Sequence, residues 1–382
     1  MNMFDSTNVT DKFLDEKRKK TDPLADQIMH EIITSGNHAQ FIKTLKALVR
    51  NNSYSEHQFD LFPIEIQQKL NEYFKTTSTL PEWLDWKLIQ LGQDVFNRYV
   101  LLIMMMLQYK SLPLCYSCKN GAKILHLTGR LTERYGSSKI FKRLAETGQM
   151  VANTMSPGSF LPNGKGIVTI QKVRLIHAMV RYFLQCPKYN TYEWDTDELG
   201  APINQEDLTG TLMAFAPMII DGLEQLNIKL TKQEKEGYIH CWKVIGYLNG
   251  IDHDLLPNTY NEAWELSIKI LKHQAAPSAE GIELTKSCID LHKNLTRGFL
   301  SKNIPEFMVR YFLKETSEAT GLDIGETIGI KNSHNNHEKK IVLLSKFASI
   351  STVNKCFLIA YHKFQNISFK KNLSVPNSIN SG

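Results

Sequence analysis

The chain has 382 residues, 42% of them hydrophobic and 22% charged, enough for one large globular domain or two ordinary ones and too apolar for a disordered protein. Its formal charge of +6 is unevenly spread: residues 331–382 hold eight lysines and one glutamate, +7 in that segment, which leaves the first 330 residues at −1. The body is therefore neutral, and with no basic helix bearing interleaved aromatics and no zinc-finger spacing, a nucleic-acid partner is not expected.

In chain order, MNMFDSTNVTDKFLDEKRKKTDPLA mixes acids and bases and lacks the apolar core of a signal peptide, so the expectation is a cytoplasmic protein. Helical periodicity then runs through residues 25–35, 38–50, 63–75 and 82–109, where the apolar run Tyr99 to Tyr109 is about half the ~20 residues of a spanning helix and reads as a buried one. Cys115-Tyr-Ser-Cys118 is the one close pair among six cysteines. It has no second pair to complete a zinc site, and Lys119 stands where c-type haem attachment needs a histidine. Gly121 to Arg130, GAKILHLTGR, suggests a turn.

Further helices are predicted at 138–153, 168–185, 205–227, 231–249, 259–273, 280–298 and 305–320. Ser156-Pro157-Gly158 and Pro162-Asn163-Gly164 break the chain, Asn204 to Asp207 caps the long apolar helix, and Pro217 should kink that helix and free a carbonyl. Thr231 with Glu234 forms a capping box, and Trp242 reads as core. A weak strand pattern occupies 340–371, within the lysine-rich end, which is either a solvated tail or a contact for an anionic membrane surface. The expected fold is all-α: one large helical domain with a short basic C-terminal extension.

One helix carries an internal conflict. KVRLIHAMVRYFL places Val173, Ile176, Val180 and Leu184 on a core-facing stripe, yet Arg174, His177 and Arg181 share a side of the same helix. Neighbouring cations keep an imidazole neutral, the form that binds metal, and buried guanidiniums require anions. Haem would supply iron, two propionates and an apolar face together. The alternative from this helix alone is a histidine satisfied by local hydrogen bonds, with arginines reaching surface acids. No HExxH, phosphate-binding glycine loop or Gly-x-Ser-x-Gly elbow offers a competing chemistry.

The block KRLAETGQMVANTMSPGSFLPNGKGIVTIQKVRLIHAMVRYFL, followed by APINQEDLTGTLMAFAPMIIDGLEQLNIKLTKQEKEGYIHCWKVIGYLNGID, resembles the catalytic domain shared by latex-clearing proteins (rubber oxygenases) and the oxygenase of mycophenolic acid biosynthesis. TDPLAD, LPEWLDWKLIQLGQDVF, LTGRL and IPEFMVRYFL extend the resemblance over roughly residues 20–320. It implies a lead at 1–20, a catalytic domain at 21–325 and an extension at 326–382.

The family's fold buries haem b between helices, globin-like in that respect, with the histidine of an Arg-x-x-His motif on the iron. Here the motif is Arg174-Leu175-Ile176-His177, so the resemblance implies His177 as metal ligand and Arg174, Arg181 and Arg310 as cofactor-binding residues. Tyr182 stands where latex-clearing proteins often have histidine. The oxygen-side pattern Arg-x-x-Lys-Thr reads Arg143, Glu146, Thr147 here, as the implied catalytic residues. Glu146 in place of lysine either leaves the iron's far side open or pairs with Arg143, and Glu133 is the nearest counterpart to the family's distal glutamate.

The implied activity is a haem b-dependent oxygenase that takes dioxygen and a small apolar, isoprenoid or lipid-like alkene. The alternatives are a haem-binding sensor or carrier without turnover, and a haem-free helical interaction protein.

Overall fold

The structure is a computed structural model that describes residues 4–35, 59–60, 62–128, 137–162, 164–186, 193–295 and 304–331. The helix expected at 38–50, Glu133, the strand pattern at 340–371 and nearly all of the lysine-rich end lie outside the described residues.

Among the described residues the fold is all-α with no strand, as expected. Its helices are α1 (Asp11–Arg18), α2 (Pro23–Thr34), α3 (Ile64–Thr76), α4 (Trp86–Met106), α5 (Leu112–Ser117), α6 (Lys119–Leu127), α7 (Ser137–Met155) and α8 (Lys165–Gln185). There follow α9 (Thr196–Leu199), α10 (Gln205–Phe215), α11 (Pro217–Gln225), α12 (Lys232–Leu248), α13 (Tyr260–Gln274), α14 (Ala279–Leu295), α15 (Ile304–Thr320) and α16 (Ile324–Thr327). Of the stretch Gly121 to Arg130 expected to hold a turn, Gly121 to Leu127 is helical within α6, Thr128 is a turn residue, and Gly129 and Arg130 lie outside the described residues.

The central element is α4, which continues through a π-helical segment, Leu107–Ser111, into α5. The stretch Trp86–Ser117 is long and apolar enough to cross a bilayer, but 72% of its most apolar window is buried inside the protein, in keeping with a core helix. Its main partner is α12, and two glycines allow the close crossing: a β-carbon on Gly92 would lie 2.4 Å from the Gly237 carbonyl oxygen. Asp85 caps α4, and its own amide donates to Nε2 of His240 on α12 at 2.9 Å.

The π-helical turn widens the backbone enough to seat a lysine in the core. Lys110 is wholly buried, bonded through Nζ to Asp221 on α11 and to the Phe312 carbonyl on α15. The next residue, Ser111, donates to the Ala214 carbonyl at 2.6 Å. That carbonyl lies just before the break at Ala216 and Pro217, where the long helix divides into α10 and α11. Tyr238 donates to the Phe215 carbonyl at 3.4 Å, so proline's disruption is met by hydroxyls from two neighbouring helices.

Local signals hold elsewhere. The Thr231–Glu234 capping box starts α12, Asn204 caps α10 by accepting from the Asp207 amide, and Trp242 is core, 1% exposed against Phe215. The N-terminal lead contains a helix that the periodicity did not mark. Arg18 of α1 bonds Glu206 at 3.1 Å, Asp207 at 3.2 Å and the Leu199 carbonyl, while His273 of α13 bonds Glu206 at 2.7 Å. Burial within this knot pushes the Asp207 carboxyl up to about 6.

The helix of interest, α8, belongs to two cores. Leu175, Ala178 and Met179 pack with α2 and α3, and Ile167 and Ile170 join the main core beside α7.

Candidate active site

The fully buried side of α8 is not the stripe expected from periodicity. Leu184 is buried, but Val173, Ile176 and Val180 keep accessible surface, and the residues taken inside are Arg174, Leu175, Ala178, Met179 and Arg181. Two things hold that side inward: Leu175, Ala178 and Met179 pack in an apolar core with α2 and α3, and α2 brings two carboxylates against the arginines.

Arg174 donates from Nε and Nη2 to the two oxygens of Asp22, each at 2.7 Å, and from Nη1 to the Leu248 carbonyl at 3.0 Å. The pair is almost completely buried, so each nitrogen of Arg174, expected as a cofactor-binding residue, has a partner within the protein. Gly250 makes room for it. Its φ of +80° suits glycine, and a β-carbon there would lie 2.7 Å from Nη2 of Arg174.

Arg181 is held differently. Nε donates to Asp26 at 2.7 Å, Nη1 to the Ile203 carbonyl at 3.2 Å, and Nη2 is buried with no hydrogen-bond partner. Ile203 sits at φ 51°, a left-handed conformation that a β-branched residue rarely adopts. Such backbone costs about 1–3 kcal/mol and persists where the surroundings fix it, here by turning a carbonyl to Arg181.

His177 lies one turn before Arg181 on the same face. The ring makes no hydrogen bond or ion pair with another described residue. Burial pushes its pKa down to about 3, with the charges of Arg181 and Arg143 acting in the same direction. The imidazole is half-buried, with Val173, Ile176 and Val180, also half-covered, near it on the helix. An imidazole held neutral can offer its lone pair to a metal.

Across from it, α7 brings Arg143, Glu146 and Thr147 together on adjoining turns, all half-buried. Arg143 has no ion-pair partner among the described residues, Glu146 included. Thr147 donates its hydroxyl to the Arg143 carbonyl at 3.2 Å, so its proton is committed within the helix. Arg143 also exerts its charge on Tyr116, whose hydroxyl meets the Cys288 sulfur at 3.4 Å.

Arg310 stands apart from this constellation. It bonds Asp323 and the Ile330 carbonyl, and a β-carbon on Gly325 would press on it at 2.7 Å, so it ties α15 to α16 rather than joining His177. The Cys115 and Cys118 thiols are free, and burial pushes Cys115 up to about 12 and Cys118 well above its usual range, which makes both poor nucleophiles. Among the described residues no group of three or more His, Cys, Asp or Glu is placed to hold a metal ion.

Sequence reasoning missed Asp22, Asp26, Ile203 and Tyr116. The first two lie within the TDPLAD segment, spaced four apart at the start of a helix, and that spacing was the available signal.

The chain is 22% identical over 309 residues to the rubber oxygenase of Streptomyces sp. (strain K30), a match covering 81% of this chain and 70% of that protein. The fold is similar to the structure of latex clearing protein LCP in the closed state, with a TM-score of 0.67 and 19% identity over 91% of each chain. The family described as ER-bound oxygenase mpaB/B'/rubber oxygenase, catalytic domain, matches residues 121–324, more than half of the chain, and the protein belongs to that family and is an oxygenase.

Proposed function

We propose that the protein is a haem b-dependent oxygenase that acts with dioxygen on an apolar, isoprenoid or lipid-like alkene. The observation that carries this reading is His177, a half-buried imidazole held neutral and without a hydrogen-bond partner among the described residues, one turn from Arg181 with its unpartnered Nη2. These residues fit haem: the imidazole would ligate the iron, Arg181 Nη2 would take a propionate, and Val173, Ile176 and Val180 would line the macrocycle. Arg174 is instead engaged with Asp22 and the Leu248 carbonyl.

When bound, haem supplies an iron centre able to activate dioxygen. The chain's own residues set the surroundings. Arg143 contributes a positive charge uncompensated by any described carboxylate, suited to stabilise developing negative charge. Thr147 presents lone pairs, its proton being held by the helix, and so accepts rather than donates unless its hydroxyl turns. Glu146 occupies the adjoining position, where a carboxylate serves as a base or a hard anionic ligand. The half-buried apolar faces of α7 and α8 favour a hydrocarbon over a polar substrate.

Titrating purified protein with hemin tests this reading, followed by oxygen uptake and product analysis with isoprenoid lipids. Stoichiometric Soret absorbance that His177→Ala alters, with oxygen consumed and a carbonyl or epoxide product, supports it. Haem binding without oxygen uptake would favour a sensor or carrier.

A further inference from the structure

The two arginines flanking His177 are both paired with α2, but their pairings differ. Arg174 is paired with Asp22, a buried carboxylate that meets it through two parallel bonds. Arg181 meets Asp26 through Nε alone, its second edge is fixed by the Ile203 carbonyl, and the remaining corner of the fork, Nη2, is left over. Arg181 follows His177 by four residues and its charge bears on the ring, whereas the guanidinium of Arg174 is turned to Asp22 and the Leu248 carbonyl. Asp22 and Asp26 lie four residues apart on one helix and grip arginines seven apart on another, so one face of α2 serves both.

On this basis, which rests on the haem reading above, we infer that Asp26 is a positioning residue for the iron ligand, acting through Arg181. Asp26 and Ile203 hold the guanidinium by two of its edges and aim the third at a ligand carboxylate. The Asp26 charge also offsets the cation one helical turn from the imidazole. Without that offset, the extra positive charge beside the iron favours the ferrous over the ferric state. Asp22 has a comparable structural role but lacks this electronic one.

The test is the ferric/ferrous midpoint potential of the haem-loaded full-length protein, with urea stability measured in parallel. Asp26→Asn should raise the potential by the order of a tenfold change in the ferrous-to-ferric ratio, ~59 mV for one electron. Asp26→Glu should restore it towards the wild-type value. Arg181→Gln, which removes the cation and leaves the carboxylate, should lower the potential, and this opposite sign keeps the inference testable if Asp26→Asn does not fold. Asp22→Asn should lose stability without a comparable shift. An unchanged potential in Asp26→Asn, or an equal shift in Asp22→Asn, overturns the inference while the haem reading stands. Failure of the wild-type protein to take up haem overturns both.

Discussion

Asp22 and Arg174 meet through two parallel hydrogen bonds of 2.7 Å, buried between the start of α2 and the middle of α8. With Asp26 one turn further along α2 and Arg181 about two turns further along α8, this pair makes α2 the counter-ion strap of the helix that carries His177. Removing one partner strands a buried charge, so Asp22→Ala should lower stability by about 3–5 kcal/mol. Urea unfolding of the two proteins checks this. A loss below about 1 kcal/mol would mean that water reaches the pair.

His240 gives a pH dependence with a defined sign. It accepts the Asp85 amide through Nε2, a bond that only a neutral ring can accept, and burial first, then the Lys243 charge, push its pKa down to about 4. The folded value lies below the unfolded value, so protonation favours the unfolded chain. This contribution to stability is intact above about pH 6.5 and is lost as the pH falls towards 4. The loss amounts to at most about 3 kcal/mol. His240→Gln retains an acceptor and does not titrate, so its stability should fall less steeply over that window. Asp207, pushed up to about 6, acts with the opposite sign in both proteins and cancels in the comparison.

The Lys110–Asp221 pair predicts a non-additive double mutant. Asp221→Ala leaves a wholly buried ammonium facing only the Phe312 carbonyl, and Lys110→Met leaves Asp221 unpaired. Each should be clearly destabilising, by about 3–5 kcal/mol. Lys110→Met combined with Asp221→Leu should be less destabilising than either single change. Equilibrium unfolding of the four proteins measures the coupling directly.

At the crossing of α4 with α12, a β-carbon on Gly237 would lie 2.8 Å from the Leu88 carbonyl oxygen, a backbone atom that cannot simply rotate away. Gly237→Ala should therefore cost about 1–3 kcal/mol through forced separation of the helices, despite alanine's better helix propensity. A thermal melt of the variant is sufficient, and a raised Tm would contradict the packing account.

What the sequence made legible follows from how local each signal is. The Thr231–Glu234 box, the Asn204 cap and the break at Pro217 are decided within four residues, and the structure has all three. Helix α1 escaped because its buried residues include Lys17 and Arg18, which look solvent-facing until their carboxylate partners, about 190 to 240 positions later, are known. On α8 the burial of Arg174 and Arg181 was hidden for the same reason: Asp22 and Asp26 are 152 and 155 positions from their arginines, and hydrophobic periodicity cannot signal arginines buried by ion pairs. His177 was legible as a conflict between burial and charge. Its partners were not, and Arg310 carried a family position without joining the cluster.

The most direct measurement of the central claim is the absorption spectrum of hemin-titrated protein beside His177→Ala, in the ferric and dithionite-reduced states. The account predicts one haem per chain in the wild type, with a Soret band typical of histidine ligation that is shifted or lost in the variant while its far-UV circular dichroism is unchanged. Absence of a Soret band in folded wild-type protein, or identical spectra for the two proteins, would contradict it.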